Sequence, residues 1–388
     1  MTKIPVSFVN GGARTYEVLV NRFENIIKFD FDQEEFTLKP KMMIFFEFVG
    51  NNDYIISQFP QMMQRFQNTD VFLVIDDSYE GLCDQELLNT ISEVCKNMPW
   101  VKQWRILSSN SKLKDTNVSN NFIYFNIHLH LEHYDNIIVN DLEWNPNIQL
   151  RKKKFLCVNR QERLHRLEIV DFLLKNDLHK DTFLSCMLGE YGNLINNDKK
   201  VWTDSDKALR KFLDPLLNDY KLTDEQKQRL SCLPIELDVL ESSHHAVKVN
   251  MPNLNAYYNQ SYFSIVTEGD YASDFRRLYT EKPLKCFAYA HPFILVGLPG
   301  SLDQMHKDGF VTFSSVIDES YDHEEDNNRR MAMIQKEILK LAKQDYNELR
   351  LTYESLKDIM FHNFMTYKVI NSLPQPTQLA NDILKWWH

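Results

Sequence analysis

Glycine and proline are scarce. Ten Gly and 13 Pro in 388 residues exclude collagen-like and Pro/Gly-rich architectures. No apolar run approaches the ~18–20 residues that cross a bilayer. Met42 to Val49 and Val71 to Ile75 are strand-sized, so no transmembrane segment is expected. The opening Met-Thr-Lys-Ile-Pro-Val lacks the continuous apolar core of a signal peptide. The six cysteines (83, 95, 157, 186, 232 and 286) are scattered without a CxxC pair. Reduced, mostly buried thiols in a cytoplasmic protein are the expectation. Positive charge is in deficit: 44 Lys+Arg against 54 Asp+Glu give a net charge of −10. That removes any global pull toward nucleic acid or anionic lipid, and no nucleic-acid partner is expected. There is no P-loop, no GxGxxG and no GxSxG, which argues against P-loop NTP hydrolysis, a dinucleotide fold of the usual type and an α/β-hydrolase.

What is present is a globular composition, 43% apolar and 12% aromatic, incompatible with disorder as the main state. At roughly 100–200 residues per domain the length suggests two or three domains. Abundant Asn, Lys, Ile, Phe and Tyr suggest an AT-rich genome, which suits a viral or phage source. Lys41 to Val49 and Val71 to Ile75 read as buried strands, and 53–67 and 85–97 as helices. Trp104 to Leu107, Phe122 to Phe125 and Ile137 to Val139 are further strand candidates. Alternating strands and helices predict a parallel α/β sheet.

A fresh unit begins after the charge run Arg151 to Lys154. Phe155 to Val158 is a strand, and Leu164, Leu167, Val170 and Leu174 mark a helix. Residues 190–250 read as helical insertions and loops. Phe263 to Val266, Pro292 to Val296 and Phe310 to Phe313 read as strands. Thr280 opens a helix that runs to about Tyr289, with Thr as cap and Pro283 in the first turn. Ser301 caps a short helix that Gly309 can terminate. Residues from Asp326 onward are mainly helical.

Three constellations stand after strands, where ligands of such sheets bind. Asn159, Arg160, Arg163, His165 and Arg166 combine arginine forks with a helix start, a setting that favours phosphate. They equally fit a solvated helix start with Arg paired to Glu162 or Glu168. Glu268 with Thr280, Glu281, Lys282 and Lys285 supplies carboxylates for ribose hydroxyls and lysines for phosphate; a capped helix with exposed charges is the plainer alternative. In Asp76-Asp77-Ser78-Tyr79-Glu80-Gly81 a carboxylate can serve as general base, or cap the next helix. His128, His130 and His133 suggest a polar strand face more than metal, and Asp30-Phe-Asp32 a solvated strand face.

From Phe263 to Leu339 the chain resembles the donor-binding half of GT-B-type glycosyltransferases, most closely the α-1,3-fucosyltransferase pattern and related viral and phage enzymes. Phe263-Ser-Ile-Val-Thr-Glu268 stands where those enzymes have a strand ending in Phe-Glu-Asn-Ser. Tyr279-Thr-Glu-Lys282 matches their Tyr-Ile/Val-Thr-Glu-Lys. Ala290-His-Pro-Phe-Ile-Leu-Val-Gly297 matches the following Gly-x-x-Pro-Val-x-x-Gly strand. Val311 to Asp322 stands where they carry a Phe-Ile-x-x-x-Asp-Phe strand and loop. Gly269-Asp270 replaces their Asn-Ser, and the stretch from Glu268 to Tyr279 is longer and holds Arg276-Arg277.

The resemblance implies an α/β GT-B-like fold of two Rossmann-like domains facing a cleft. The expected limits are 1–150 for an acceptor-side domain, 151–345 for a donor-binding domain, and 346–388 for C-terminal helices crossing back onto the first. It implies a glycosyltransferase using a GDP- or UDP-sugar and a glycan or glycoprotein acceptor, inverting, with no metal or other cofactor. Glu281 would hold the ribose, Lys282 the diphosphate, and Glu268 would lie near sugar or ribose. Asn159, Arg160 and Arg163, added from their place at a strand exit and not from the resemblance, complete the expected donor site with Thr280 and Lys285. Glu80 or Asp77 is the expected catalytic base. The alternative is a noncatalytic glycan-binding or assembly protein on the same fold; a different phosphate-handling α/β enzyme has no motif here.

Overall fold

Two separate parallel sheets organise the chain in the computed structural model. It describes residues 2–9, 27–30, 39–47, 52–78, 81–116, 121–130, 144, 150–159, 163–186, 222–235, 237, 252–274, 276–372 and 377–388. Contacts divide it into two units. The first comprises Met1–His133, Phe275–Leu278 and Ser372–His388, the second Tyr134–Asp274 and Tyr279–Asn371.

In the first unit, β1 (Thr2–Val9), β2 (Ile27–Asp30), β3 (Lys41–Glu47), β4 (Asp70–Asp77), β5 (Val101–Ser108) and β6 (Phe122–Tyr124) form one sheet in the order β2-β1-β3-β4-β5-β6. Every pairing is parallel. The runs in β3 and β4 are continuously apolar because both faces are covered. On one face Met42, Ile44, Phe46, Leu73 and Ile75 pack on α1 (Asn52–Gln64) and α2 (Gln85–Lys96) through Phe59, Met63, Leu88 and Ile91. The alternate residues Met43, Phe45, Phe72 and Val74 face the C-terminal helix (Thr377–Trp387), through Ala380, Ile383, Trp386 and Trp387. Residues 380, 383, 386 and 387 share one side of that helix, and each Trp contributes roughly 1.5–3 kcal/mol of burial.

The second unit holds β7 (Lys153–Asn159), β8 (Thr182–Cys186), β9 (Ser261–Thr267) and β10 (Phe293–Val296) in the parallel order β10-β9-β7-β8. Its helices are α3 (Leu164–Lys175), α4 (Asp224–Leu230), α5 (Pro252–Gln260), α6 (Glu281–Ala288), α7 (Ser301–Lys307), α8 (Asn327–Ala342), α9 (Tyr346–Ser355) and α10 (Lys357–Ser372). The α/β class and the parallel sheets agree with the sequence reading. Both ends of the charge run at its start are buried: Arg151 donates to the carbonyls of Tyr258 and Ser261 (2.6 Å each) and to the Tyr353 hydroxyl (2.7 Å). Lys154 donates to the carbonyls of Ala342 and Gln344 at the negative end of α8.

Three local expectations are corrected. Residues 310–313 form no strand. The Val311 peptide is instead satisfied by the Asn363 side chain, which accepts from its N–H (2.8 Å) and donates to its C=O (2.6 Å). The apolar character comes from rings: Phe310 stacks on Phe287 at 4.2 Å and Phe313 meets Phe293 edge-on at 5.2 Å. Ser301 does not cap α7; Gly300 occupies that position at φ 76°, a left-handed conformation that glycine adopts without a Cβ penalty. Thr280 sits at the cap of α6 without a side-chain capping bond, because its hydroxyl is used elsewhere. β1 and β8 were not anticipated. The strand expected at 137–139 lies outside the described residues, as does most of 190–250. None of the six cysteines forms a disulfide, and five of them are buried. Among the described residues no helix is long and apolar enough to cross a membrane.

Candidate functional site

The strand order of the second unit dictates where to look. From β7 the chain moves outward to β8, then returns to the other side of β7 as β9 and continues to β10. The connections after β7 and β9 therefore leave in opposite directions, and a crevice opens beyond their carboxyl ends. Asn159 ends β7 and Thr267 ends β9. The Thr267 hydroxyl donates to Asn159 Oδ1 and ties the two ends together.

Glu268 follows immediately and is 2% exposed. Its carboxylate accepts from the Thr280 N–H (Oε1, 2.8 Å), the Thr280 hydroxyl (Oε2, 2.6 Å) and the Gly269 N–H (Oε2, 3.2 Å). This is where the Thr280 hydroxyl goes. Lys282 Nζ lies 3.5 Å from Glu268 Oε2 and 3.2 Å from Glu281 Oε1, and donates to Thr280 Oγ1 at 2.9 Å. The lysine is 30% exposed and Glu281 18% exposed at their side chains, so both reach the surface from the first turn of α6. Gly297, at the exit of β10, lies against Glu268: a Cβ there would stand 3.2 Å from Glu268 Cγ.

The first turn of α3 closes the other side. His165 Nε2 and Arg166 Nη2 each lie 2.9 Å from the Glu268 carbonyl oxygen. That oxygen only accepts, so His165 carries its proton on Nε2. Burial, reinforced by Arg166, pushes the His165 pKa down to about 3, which keeps the ring neutral. Burial also pulls Arg166 down to about 10, with Arg163 lowering it further and Glu268 and Glu281 opposing. Arg163 is the N-cap of α3, half-buried and without a capping bond.

Asn159, Arg163, Glu268, Thr280, Glu281 and Lys282 are thus gathered at one crevice. Lys285 is buried on α6, one turn beyond Glu281. Arg160 and Glu80 lie outside the described residues. Asp77 belongs to the first unit and is fully occupied with its own loop: it accepts from the N–H groups of Leu82 (2.6 Å) and Cys83 (3.2 Å) and the Ser108 hydroxyl (2.6 Å). Burial pushes its pKa up to about 7. The loop it holds passes through Gly81 at φ +58°, where a Cβ would meet Leu278 at 2.8 Å.

No protein-family model and no curated protein sequence matches the chain. The solved structures that align with it, at low similarity, include two fucosyltransferase crystal structures. A crystal structure of alpha1,3-fucosyltransferase with GDP gives a TM-score of 0.35 at 9% identity, over 97% of this chain and 93% of that one. Another, with GDP-fucose, gives 0.36 at 10% identity, over 95% and 90%.

Sequence reasoning missed Tyr271 and Arg330. Tyr271 stacks on the His165 ring (centroids 5.4 Å apart, 17° between planes), and the Arg330 guanidinium lies 4.3 Å above the other ring, that of Tyr271. Arg330 falls in the stretch from Asp326 onward that reads only as helical. Its phase was the available signal, since it shares the i, i+4, i+8 stripe of Ile334 and Ile338. Among the described residues no group of three or more His, Cys, Asp or Glu is placed to hold a metal.

Proposed function

We propose that this chain is a GT-B-type glycosyltransferase, cytoplasmic and independent of metal, that moves a sugar from a nucleoside diphosphate to a hydroxyl of a glycan or glycoprotein. The observation that carries the reading is the composition of the β7/β9 switch-point crevice. It joins two helix N-termini, a half-buried Arg163, a Lys282 that reaches solvent and the Glu281 carboxylate. Diphosphate oxygens suit the Arg fork and the lysine, and the positive end of a helix dipole favours their charge. Glu281 is suited to accept from the two ribose hydroxyls. As the bond from sugar to diphosphate breaks, charge gathers on the leaving oxygens, and these fixed donors stabilise it where it develops. The Thr-Glu-Lys element of the sequence resemblance falls on these residues.

In the inverting reaction a carboxylate takes the acceptor's proton as its oxygen attacks. We assign that role to the loop after β4, to Glu80 before Asp77, because the Asp77 oxygens already accept three hydrogen bonds. Thermal unfolding of the full chain with GDP, UDP, CDP and dTDP, in Mg²⁺ or in EDTA, tests the donor site. A ligand at about 100 times its dissociation constant stabilises by roughly 2.7 kcal/mol, a shift of a few degrees. The expected result is a shift with one diphosphate, equal in Mg²⁺ and EDTA, and lost in a folded Glu281→Ala variant. No shift with any diphosphate overturns the proposal and leaves a noncatalytic glycan-binding role.

A further inference from the structure

The turn from Glu268 to Tyr271 is held at both of its terminal carbonyls by buried nitrogen donors. Glu268 C=O accepts from neutral His165 and from Arg166. Tyr271 C=O accepts from Arg330 Nη2. Between them Asp270 Oδ1 accepts the amides of Tyr271 (2.6 Å) and Ala272 (3.1 Å).

Arg330 is 1% exposed. Its guanidinium also donates to Asn327 Oδ1 (2.6 Å) and the Glu324 carbonyl (2.8 Å), and it covers one face of the Tyr271 ring. The His165 ring also stacks on Tyr271, with centroids 5.4 Å apart, and the Tyr271 hydroxyl donates to the Asn327 carbonyl at 2.9 Å. A buried guanidinium is costly to desolvate, and an apolar residue of similar volume would pack at lower cost. What an apolar residue cannot do is hold a carbonyl and a ring at once.

We infer that His165, Tyr271 and Arg330 form a buried stack that positions the Glu268 carboxylate, and that they are positioning residues which never touch the ligand. Glu268 passes the order on, since its two oxygens hold the Thr280 N–H and hydroxyl and so set the first turn of α6, where Glu281 and Lys282 stand. α8 thereby braces the crevice from behind. The consequence for nucleotide affinity rests on the donor-site reading proposed above; the consequence for Glu268 and Thr280 does not.

The test uses the full chain with His165→Phe, which keeps a ring and loses the N–H; Tyr271→Leu, which removes the ring that both His165 and Arg330 contact; and Arg330→Met. Amide hydrogen exchange is followed at Gly269 and Thr280, whose N–H groups bond the Glu268 carboxylate, and along β10 as an internal control. The expected result is exchange about tenfold faster at Thr280, the loss of about one buried hydrogen bond, with β10 unchanged. The thermal shift given by the stabilising nucleotide, GDP or UDP, falls in the same variants. Wild-type exchange at Thr280 in folded His165→Phe and Tyr271→Leu overturns the inference. So does uniform acceleration through β10, which marks a purely structural stack. If Arg330→Met does not fold, the other two variants decide. Failure of the donor-site reading is seen separately, as a wild-type chain that no nucleotide stabilises.

Discussion

Replacing Asp77 by Asn separates a loop clamp from a catalytic base and has a calculable pH signature. Buried Asp77 has its pKa raised from 3.8 to about 7, first by desolvation and against the hydrogen bonds of Ser108, Cys83 and Leu82. Between these two values the folded state holds a proton that the unfolded state has released. Stability therefore falls as pH rises from about 4 to about 7, and levels off above. The whole penalty is about 4 kcal/mol, and roughly 2–3 kcal/mol of it develops between pH 5 and pH 8. Asn mimics the protonated acid. Its oxygen can keep the Leu82 N–H and its amide can donate to Ser108 Oγ, but the Cys83 N–H loses an acceptor, which costs about 1–2 kcal/mol. The variant should be slightly less stable than wild type at pH 5 and more stable at pH 8. Groups that titrate in both proteins, including Glu319 with its pKa raised to about 7 by burial, cancel in the difference. Urea unfolding followed by tryptophan fluorescence suits the measurement, because Trp100, Trp104, Trp386 and Trp387 all lie in the first unit. A difference that stays constant from pH 5 to pH 8, or moves the other way, refutes the reasoning. Loss of the proposed glycosyl transfer in a variant that is stabilised at pH 8 would return Asp77 to the chemistry.

Two further changes probe the crevice and its support. Gly297→Ala places a Cβ 3.2 Å from Glu268 Cγ; it should cost about 1 kcal/mol of stability and weaken binding of the stabilising nucleotide several-fold. Unchanged affinity by calorimetry would mean that Glu268 does not order the site. Asn363→Leu removes both partners of the Val311 peptide and should lower stability by about 1–3 kcal/mol, read as a reduced urea midpoint. A wild-type midpoint would show that water serves that peptide equally well.

The sequence by itself determined most of the elements, because their cause is local. Apolar runs such as Met42 to Phe46 and Val71 to Ile75 have few outcomes other than buried parallel strands, and the Thr280-Glu281-Lys282 element marked a helix start with chemistry on it. It also carried the candidate residues Asn159, Arg163, Glu268, Glu281 and Lys282, as charged or amide side chains just beyond strands. Tertiary structure decided what each of them faces. Glu268 reads as a ligand carboxylate, yet its oxygens are occupied by Thr280, twelve residues on. Arg166 and His165 read as phosphate ligands and are spent on a main-chain carbonyl 102 and 103 residues away. Arg330 carries no signal beyond its place in a helical stretch and is among the most buried side chains of the fold. Phe310 to Phe313 reads as a strand but has Asn363 and Glu319 as partners in place of a ladder. In each case the local pattern specifies a polar group or an apolar ring. Which partner satisfies it depends on contacts between residues distant in sequence, and those exist only once the β7/β9 switch point and its helices are assembled.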